Sequence, residues 1–258
     1  MTRLSVNLNK IALLRNQRDI GYPCPVKAGR DILQAGANGL TVHPRPDERH
    51  IRRHDVYDIH HMMGDEGWLD KDIEYNIEGY PSKDFVAMLL DIMPNQVTFV
   101  PDAPDAKTSD HGWDLQTENT PFYKDLMNAL DQLSDTSIRI SLFMNALPDE
   151  QAMQAQIDKA LFLGAKAVEL YTEPYAVAFM QKNDLDETLQ TYDMATKIAD
   201  QAGLRVNAGH DLNLDNLPLF IKTVQPIAET SIGHAFIADA LWLGLNETVM
   251  RYQNILEG

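Results

Sequence analysis

The stretch VNAGHDLNLDNL, residues 206–217, ends an apolar run on His210 and follows it with Asp211, Asn213, Asp215 and Asn216. An imidazole at the end of a strand, with acceptors beside it, is placed to exchange protons near neutral pH. The same event recurs along the chain. Asn7, Asn9 and Lys10 follow one apolar run. His43 and Arg45 follow the next, and Asn76 and Glu78, the segment Thr98 to Asp102, Asn145, Glu169 with Thr172, and His234 follow later ones. Three histidines and two glutamates thus collect at one kind of position. Each alone is more often a satisfied structural residue than a catalyst, but their agreement across several strands points to acid–base chemistry. A second concentration is cationic: HPRPDERHIRRH, residues 43–54, gathers Arg45, Arg49, His50, Arg52, Arg53 and His54. Arginine offers a planar fork suited to phosphate oxygens, whereas the plain reading of such a run is a solvated helix start.

The elements that must position these residues alternate with a regular beat. Strands are expected at Leu4 to Asn7, Gly39 to His43, Ile73 to Ile77, Gln96 to Val100, Ile138 to Phe143, Ala167 to Tyr171, Arg205 to Ala208 and Thr230 to Gly233. Helical patterns lie between them at Pro25 to Ala35, Ser82 to Ile92, Phe122 to Leu133, Asp149 to Leu163, Asp186 to Ala202, Leu214 to Val224 and Ile237 to Leu256. LQAGANGLTVH and LFLGAKAVELY repeat one turn, a glycine just past a helix end and then a β-branched strand. Eight such βα units over 258 residues predict a single (β/α)8 TIM barrel domain spanning 1–258, with a doubly wound open sheet as the alternative. In a barrel the chemical residues belong at the C-terminal ends of the strands, which is where they fall.

Composition removes other classes. A formal charge of −16 argues against nucleic acid or an anionic membrane as a general partner. No apolar run approaches a membrane span, and the start MTRLSVNLNK lacks the apolar core of a signal peptide. With Cys24 as its one cysteine the chain forms no internal disulfide, and a cytoplasmic location is expected. His60 and His61 lie in a Met-rich helical stretch without carboxylates or cysteines at ligand spacing, so no metal is assigned. Trp113 reads as an anchor for the loop after the fourth strand.

The blocks VNLNKIALLRNQR, GLTVHPRPDERHI, NIE, SLFMNA, VELYTEPYA, VNAGHDL and SIGHAFI, in this order, resemble the pyridoxine 5′-phosphate synthase family over almost the whole chain. The resemblance implies a (β/α)8 barrel with additional helices, assembled as an octamer from dimers. It implies condensation of 1-deoxy-D-xylulose 5-phosphate with 3-amino-2-oxopropyl phosphate to build the pyridine ring of vitamin B6, with neither metal nor organic cofactor. By matched position, His43 and Glu78 are the expected proton acceptors, His210 the proton donor, and Glu169 the carboxylate that stabilises cationic intermediates. Arg45 and His50 would hold the pentulose phosphate, and Thr108 matches a substrate-binding threonine of the loop after the fourth strand. Asn7 and Arg18 resemble the amine substrate's contacts, Arg18 reaching in from a neighbouring loop or subunit, and Gly233 and His234, just before the last helix, offer backbone N–H groups that can hold an anion. Arg49, Arg52 and Arg53 are left as surface charge.

Three stretches depart from the family's pattern. Asn9 and Lys10 stand where Asp-His is usual, yet an amide can still meet a sugar hydroxyl and a lysine a phosphate. Asp211 stands where glycine is usual, and YTEPYA places Tyr171 and Glu173 at the mouth of the sixth strand. Two readings follow: a working synthase, or a divergent paralogue that binds a related sugar phosphate as a sensor or as an enzyme of altered specificity. Under the first, the Asp211 carboxylate turns away from the bound phosphate and accepts backbone N–H bonds at the start of the LNLDNL turn.

Overall fold

The computed structural model describes residues 1–18, 20–102, 109–118 and 120–258. All eight expected strands form: β1 (Arg3–Asn7), β2 (Gly39–Val42), β3 (Glu74–Gly79), β4 (Gln96–Phe99), β5 (Arg139–Met144), β6 (Ala167–Leu170), β7 (Arg205–Gly209) and β8 (Glu229–Ile232). Each pairs in parallel with its sequence neighbour, and β8 closes on β1 with Ser5 opposite Ser231. Closure leaves no edge strand, so the architecture is the (β/α)8 barrel and not the open sheet.

Around the barrel run α1 (Asn9–Arg15), α2 (Pro25–Gln34), α3 (Arg53–Asp65), α4 (Lys83–Ile92), α5 (Pro121–Leu133), α6 (Glu150–Phe162), α7 (Glu173–Gln181), α8 (Leu185–Gln201), α9 (Leu217–Thr223), α10 (His234–Leu243) and α11 (Leu245–Glu257). Several starts follow from caps legible in the chain. Ser82 accepts the Phe85 N–H at 3.3 Å, Thr120 the Tyr123 N–H at 3.1 Å and Asp149 the Ala152 N–H at 2.7 Å. The expected closing helix from Ile237 to Leu256 is instead two, broken at Gly244, whose φ of 81° is not helical. The short helices α1 and α7 were not anticipated. Each follows a strand end directly, so its pattern merges with that of the strand. None of the described helices is long and apolar enough to cross a membrane.

Alternation along the strands separates two environments. Leu4, Val6, Leu40, Val42, Ile77, Val97, Leu142 and Val168 join the surrounding helices in one continuous apolar core. The intervening positions Ser5, Thr41, Asn76, Thr98, Ser141, Glu169, Asn207 and Ser231 are buried and polar. Hydrogen bonds run among them: Ser5 Oγ lies 2.7 Å from Thr41 Oγ1, and Thr98 Oγ1 donates to Asn76 Oδ1 at 3.2 Å. At the N-terminal end of the barrel Arg139 and Arg205 reach Glu74 at 2.6 and 3.1 Å, and Arg205 reaches Glu229 at 3.4 Å. Barrel interiors are ordinarily packed with branched aliphatic side chains. Here mostly neutral polar groups fill the axis, with the buried carboxyl groups of Glu74, Glu169 and Glu229 among them.

Candidate active site

The C-terminal mouth is knit together by short-range hydrogen bonds. Asn7, the last residue of β1, accepts the Asn9 N–H at 2.9 Å and so starts α1, while Asn9 Oδ1 accepts the His43 N–H at 2.9 Å. That bond fixes the end of β2 against β1 and takes one acceptor site of the Asn9 oxygen, leaving its amide nitrogen to donate to a ligand. From β3, Glu78 accepts from Asn7 Nδ2 at 3.3 Å, and its Oε2 lies 3.7 Å from His43 Nδ1. From β6, Glu169 Oε2 accepts from Thr98 Oγ1 at 3.4 Å. His210 leaves β7 with φ of 67°, its N–H bonded to the Ser231 carbonyl at 3.0 Å. Gly209 is required just before it, because a Cβ there would lie 2.2 Å from that same carbonyl oxygen.

The cationic side is held from below by α1. Buried Arg15 ion-pairs with both oxygens of Asp55 and donates to the His50 carbonyl at 3.1 Å, and Asn16 donates to the same carbonyl at 2.8 Å. Asp55 also accepts the Arg52 N–H at 2.7 Å, so one carboxylate anchors the start of α3 and the loop that carries Arg45 and His50. The Arg45 guanidinium donates to Asp102 at 2.5 Å, and Ser109 donates to the same oxygen at 2.6 Å. Trp113 anchors the later part of this loop as expected, its indole N–H bonded to the Phe99 carbonyl at 2.9 Å.

Burial shifts the titrating groups toward their uncharged forms. His43 is held well below the usual histidine range by burial and then by the Arg45 charge. His50 is lowered to about 4 by burial and Arg45. Burial also lowers His210, against the opposing pull of Asp211 and Asp102. Glu78 is pushed well above the carboxylate range by burial and by Glu169. Glu169 itself is raised to about 8 by burial and by Glu229, which burial raises to about 7. The 3.7 Å approach of His43 and Glu78 is therefore a contact between two groups that resist charging, and not a structural ion pair. An imidazole kept uncharged is in the form that can accept a proton, and a carboxyl group kept protonated is in the form that can give one up.

Of the residues given catalytic or binding roles from sequence, all except Arg18 and Thr108 line one cavity of about 530 Å³: His43, Glu78, His210, Glu169, Asn7, Asn9, Lys10, Arg45, His50, Asp211, Gly233 and His234; the strand-end residues Asn76, Asn145, Tyr171, Thr172 and Glu173 do not. Arg18 is exposed, on the turn after α1, and does not line it. Thr108 lies outside the described residues. Two readings are corrected. Arg49, taken as surface charge, lines the cavity, its side chain bent back onto Asp47 at 2.7 Å. Asp211 does not cap the following turn. Asn213 and Asn216 do: Asn213 accepts from the N–H groups of Asp215 and Asn216 at 2.9 and 3.0 Å, and Asn216 accepts the Asn213 N–H at 2.8 Å. The same turn delays α9 to Leu217, three residues beyond the expected Leu214. Ser109, Asn213 and Ser231 also line the cavity and were missed. Ser231 could have been found as the alternate position two before Gly233 on β8. Tyr171 and Glu173 are bonded to each other through the phenol O–H at the rim.

A closed parallel barrel whose C-terminal mouth collects histidines, buried carboxylates and arginines in one cavity is a (β/α)8-barrel enzyme of the acid–base kind. The model of the family described as "Pyridoxal phosphate biosynthesis protein PdxJ" matches residues 4–258, and the chain belongs to that family. A protein named pyridoxine 5′-phosphate synthase from Bacteroides thetaiotaomicron is 46% identical over 256 residues, covering 99% of this chain and 100% of that one. A protein of the same name from Chelativorans sp. is 46% identical over 255 residues, covering 99% and 98%. Asn9, Lys10 and Asp211 therefore do not take the chain outside the family. Among solved structures, tryptophan synthase from M. tuberculosis matches with TM-score 0.60 at 10% identity, covering 98% of this chain and 91% of that one. N-(5′-phosphoribosyl)anthranilate isomerase from Pyrococcus furiosus matches with TM-score 0.56 at 11%, covering 98% and 100%. At that identity these two likenesses concern the fold alone.

Proposed function

We propose that the chain is a pyridoxine 5′-phosphate synthase that joins 1-deoxy-D-xylulose 5-phosphate to 3-amino-2-oxopropyl phosphate. The observation that carries this reading is the convergence of His43, Glu78, Glu169 and His210 with Arg45 and His50 in one cavity. Whole-length relatives bearing the synthase name add to it. An amine must add to a ketone, and water and phosphate must leave. Protons must therefore move between carbon, nitrogen and oxygen in an enclosed space. His43, kept uncharged by burial, accepts a proton from substrate, and Glu78 beside it serves the next transfer. A cationic nitrogen intermediate near Glu169 favours its carboxylate form and is stabilised by it in return. His210, once charged by a bound phosphate, returns a proton to the leaving oxygen. Arg45, His50 and Lys10 hold the pentulose phosphate; Asn7, Gly233 and His234 hold the second substrate, with the first N–H groups of α10 facing its phosphate. The roles of His43, Glu78, His210 and Glu169 call for no metal or organic cofactor.

Arg18 belongs to this set only if another copy supplies it, since on its own chain it is exposed beside Ile20 and Tyr22, which are 61% and 73% exposed. We infer assembly as a dimer or octamer, in the cytoplasm. Light scattering on purified protein reads the assembly, and a monomer that retains full activity would remove Arg18 from the site. The function is tested by incubating the protein with both substrates and measuring pyridoxine 5′-phosphate and released phosphate. Absence of the product refutes the reading.

A further inference from the structure

Arg15 and Arg45 are both buried against aspartates, and the two pairs are built differently. Arg15 meets Asp55 with both terminal nitrogens on both oxygens, the two-point fork that an arginine and a carboxylate favour. Arg45 meets Asp102 through one nitrogen and one oxygen, Nη2 to Oδ2 at 2.5 Å. The second pair is as buried as the first, its side chains 4% and 3% exposed, so solvent does not account for the difference. The direction of the Asp102 carboxylate does. Ser109 Oγ donates to the same Oδ2 at 2.6 Å, and Oδ1 is buried with no partner among the described residues. The carboxylate is therefore presented to Arg45 by one oxygen. The guanidinium makes no other hydrogen bond to a described residue, and its side chain lines the cavity that holds His43, Glu78 and His210. An arginine held by one nitrogen keeps its other donors for an anion in that cavity.

The hold matters because Arg45 has somewhere else to go. It also lines a second cavity, of about 330 Å³, where Glu48 and Asp84 offer carboxylates of their own. An arginine side chain carries about 2 kcal/mol of rotamer entropy, so without a fixed partner it would be shared between the two spaces. We propose that Asp102 is a positioning residue: gripped by Ser109, it holds Arg45 by Nη2 so that the rest of the guanidinium meets the phosphate of the pentulose substrate. The inference rests on the proposed synthase reading and deepens its account of phosphate capture.

Steady-state kinetics of Asp102→Ala tests this, with Asp102→Ser in its place if circular dichroism shows the alanine variant unfolded. KM for 1-deoxy-D-xylulose 5-phosphate should rise roughly tenfold or more, the scale of one charge-assisted hydrogen bond, while KM for 3-amino-2-oxopropyl phosphate stays within about twofold. The fall in kcat should be smaller than the rise in KM. Asp102→Asn keeps an oxygen where Oδ2 stands and should restore most of the loss. In an Arg45→Met background, or Arg45→Gln if that protein does not fold, Asp102→Ala should add less than about a further twofold, because the residue it acts through is gone. Both KM values rising together, additive losses with Arg45, or a loss in Asp102→Asn as large as in Asp102→Ala overturns the proposal. So does a lower pentulose phosphate KM in Asp102→Ala, by making the carboxylate a competitor of the phosphate. Formation of pyridoxine 5′-phosphate by wild type with KM unchanged in Asp102→Ala refutes this inference alone. Absence of that product refutes the function, and the inference is then decided by calorimetric binding of the pentulose phosphate, where equal affinity for both proteins, or none for either, overturns it.

Discussion

Glu169→Gln isolates the energetic consequence of placing a carboxyl group inside the barrel. Glutamine keeps the shape and can still accept from Thr98, so the variant removes the titration and little else. In the unfolded chain Glu169 titrates near the ordinary 4.5; folded, burial and then Glu229 raise it to about 8. Between those values the native state holds a proton that the unfolded state has lost, so stability falls as pH rises. The contribution is fully present below the unfolded pKa and gone once pH passes the folded one. The slope is about 1.4 kcal/mol per pH unit for one proton. From about pH 5 to about pH 7.5 wild type should therefore lose on the order of 3 kcal/mol relative to Glu169→Gln. Glu78 and Glu229 titrate with the same sign and remain in the variant, so the difference reads Glu169 together with its coupling to them. Urea unfolding of both proteins across this pH range, with midpoints and slopes recorded, measures it. A difference that stays flat with pH would refute the claim that the barrel interior holds Glu169 in its protonated form.

Replacing His43 or His210 by Asn should lower kcat by roughly 10²-fold or more with pentulose phosphate affinity little changed; equal losses in rate and affinity would make them binding residues. Arg45→Lys retains the charge opposite Asp102 but loses the fork, so phosphorylated ligands should bind weaker by on the order of 1–2 kcal/mol, read by calorimetry against an unphosphorylated analogue. No difference between those ligands would remove Arg45 from the site. Arg15→Met strands the buried Asp55 carboxylate, and unfolding should show a loss of about 3–5 kcal/mol. A loss under about 1 kcal/mol would mean that Arg15 does not hold the His50 loop.

The candidate site was legible because a parallel strand ends where its apolar alternation stops, and in a barrel all such ends face one way. His43, Glu78, Glu169, His210 and His234 each sit within a residue or two of that point, so their meeting follows from counting strands. Arg49 was misread because nothing in a run of arginines says which side chain the loop turns inward. Asp211 was misread because its competitors for the turn, Asn213 and Asn216, are equally good caps, and only their mutual hydrogen bonds decide which residue is displaced into the cavity. Helices α1 and α7 escaped because a single turn or two beginning at a strand end has no separate period to detect.

The sequence by itself determined the eight βα units, the polar side of each strand and the chemical residue types at the strand ends, since these depend on neighbours a few positions apart. Only the tertiary structure decided the state of those residues. Burial and then Glu229, 60 positions along the chain, raise Glu169, burial and then Arg45 lower His43 and His50, and Asp102 ties down Arg45 from another loop. Such effects depend on distance through a low-dielectric interior, and that distance exists only once β8 has closed on β1.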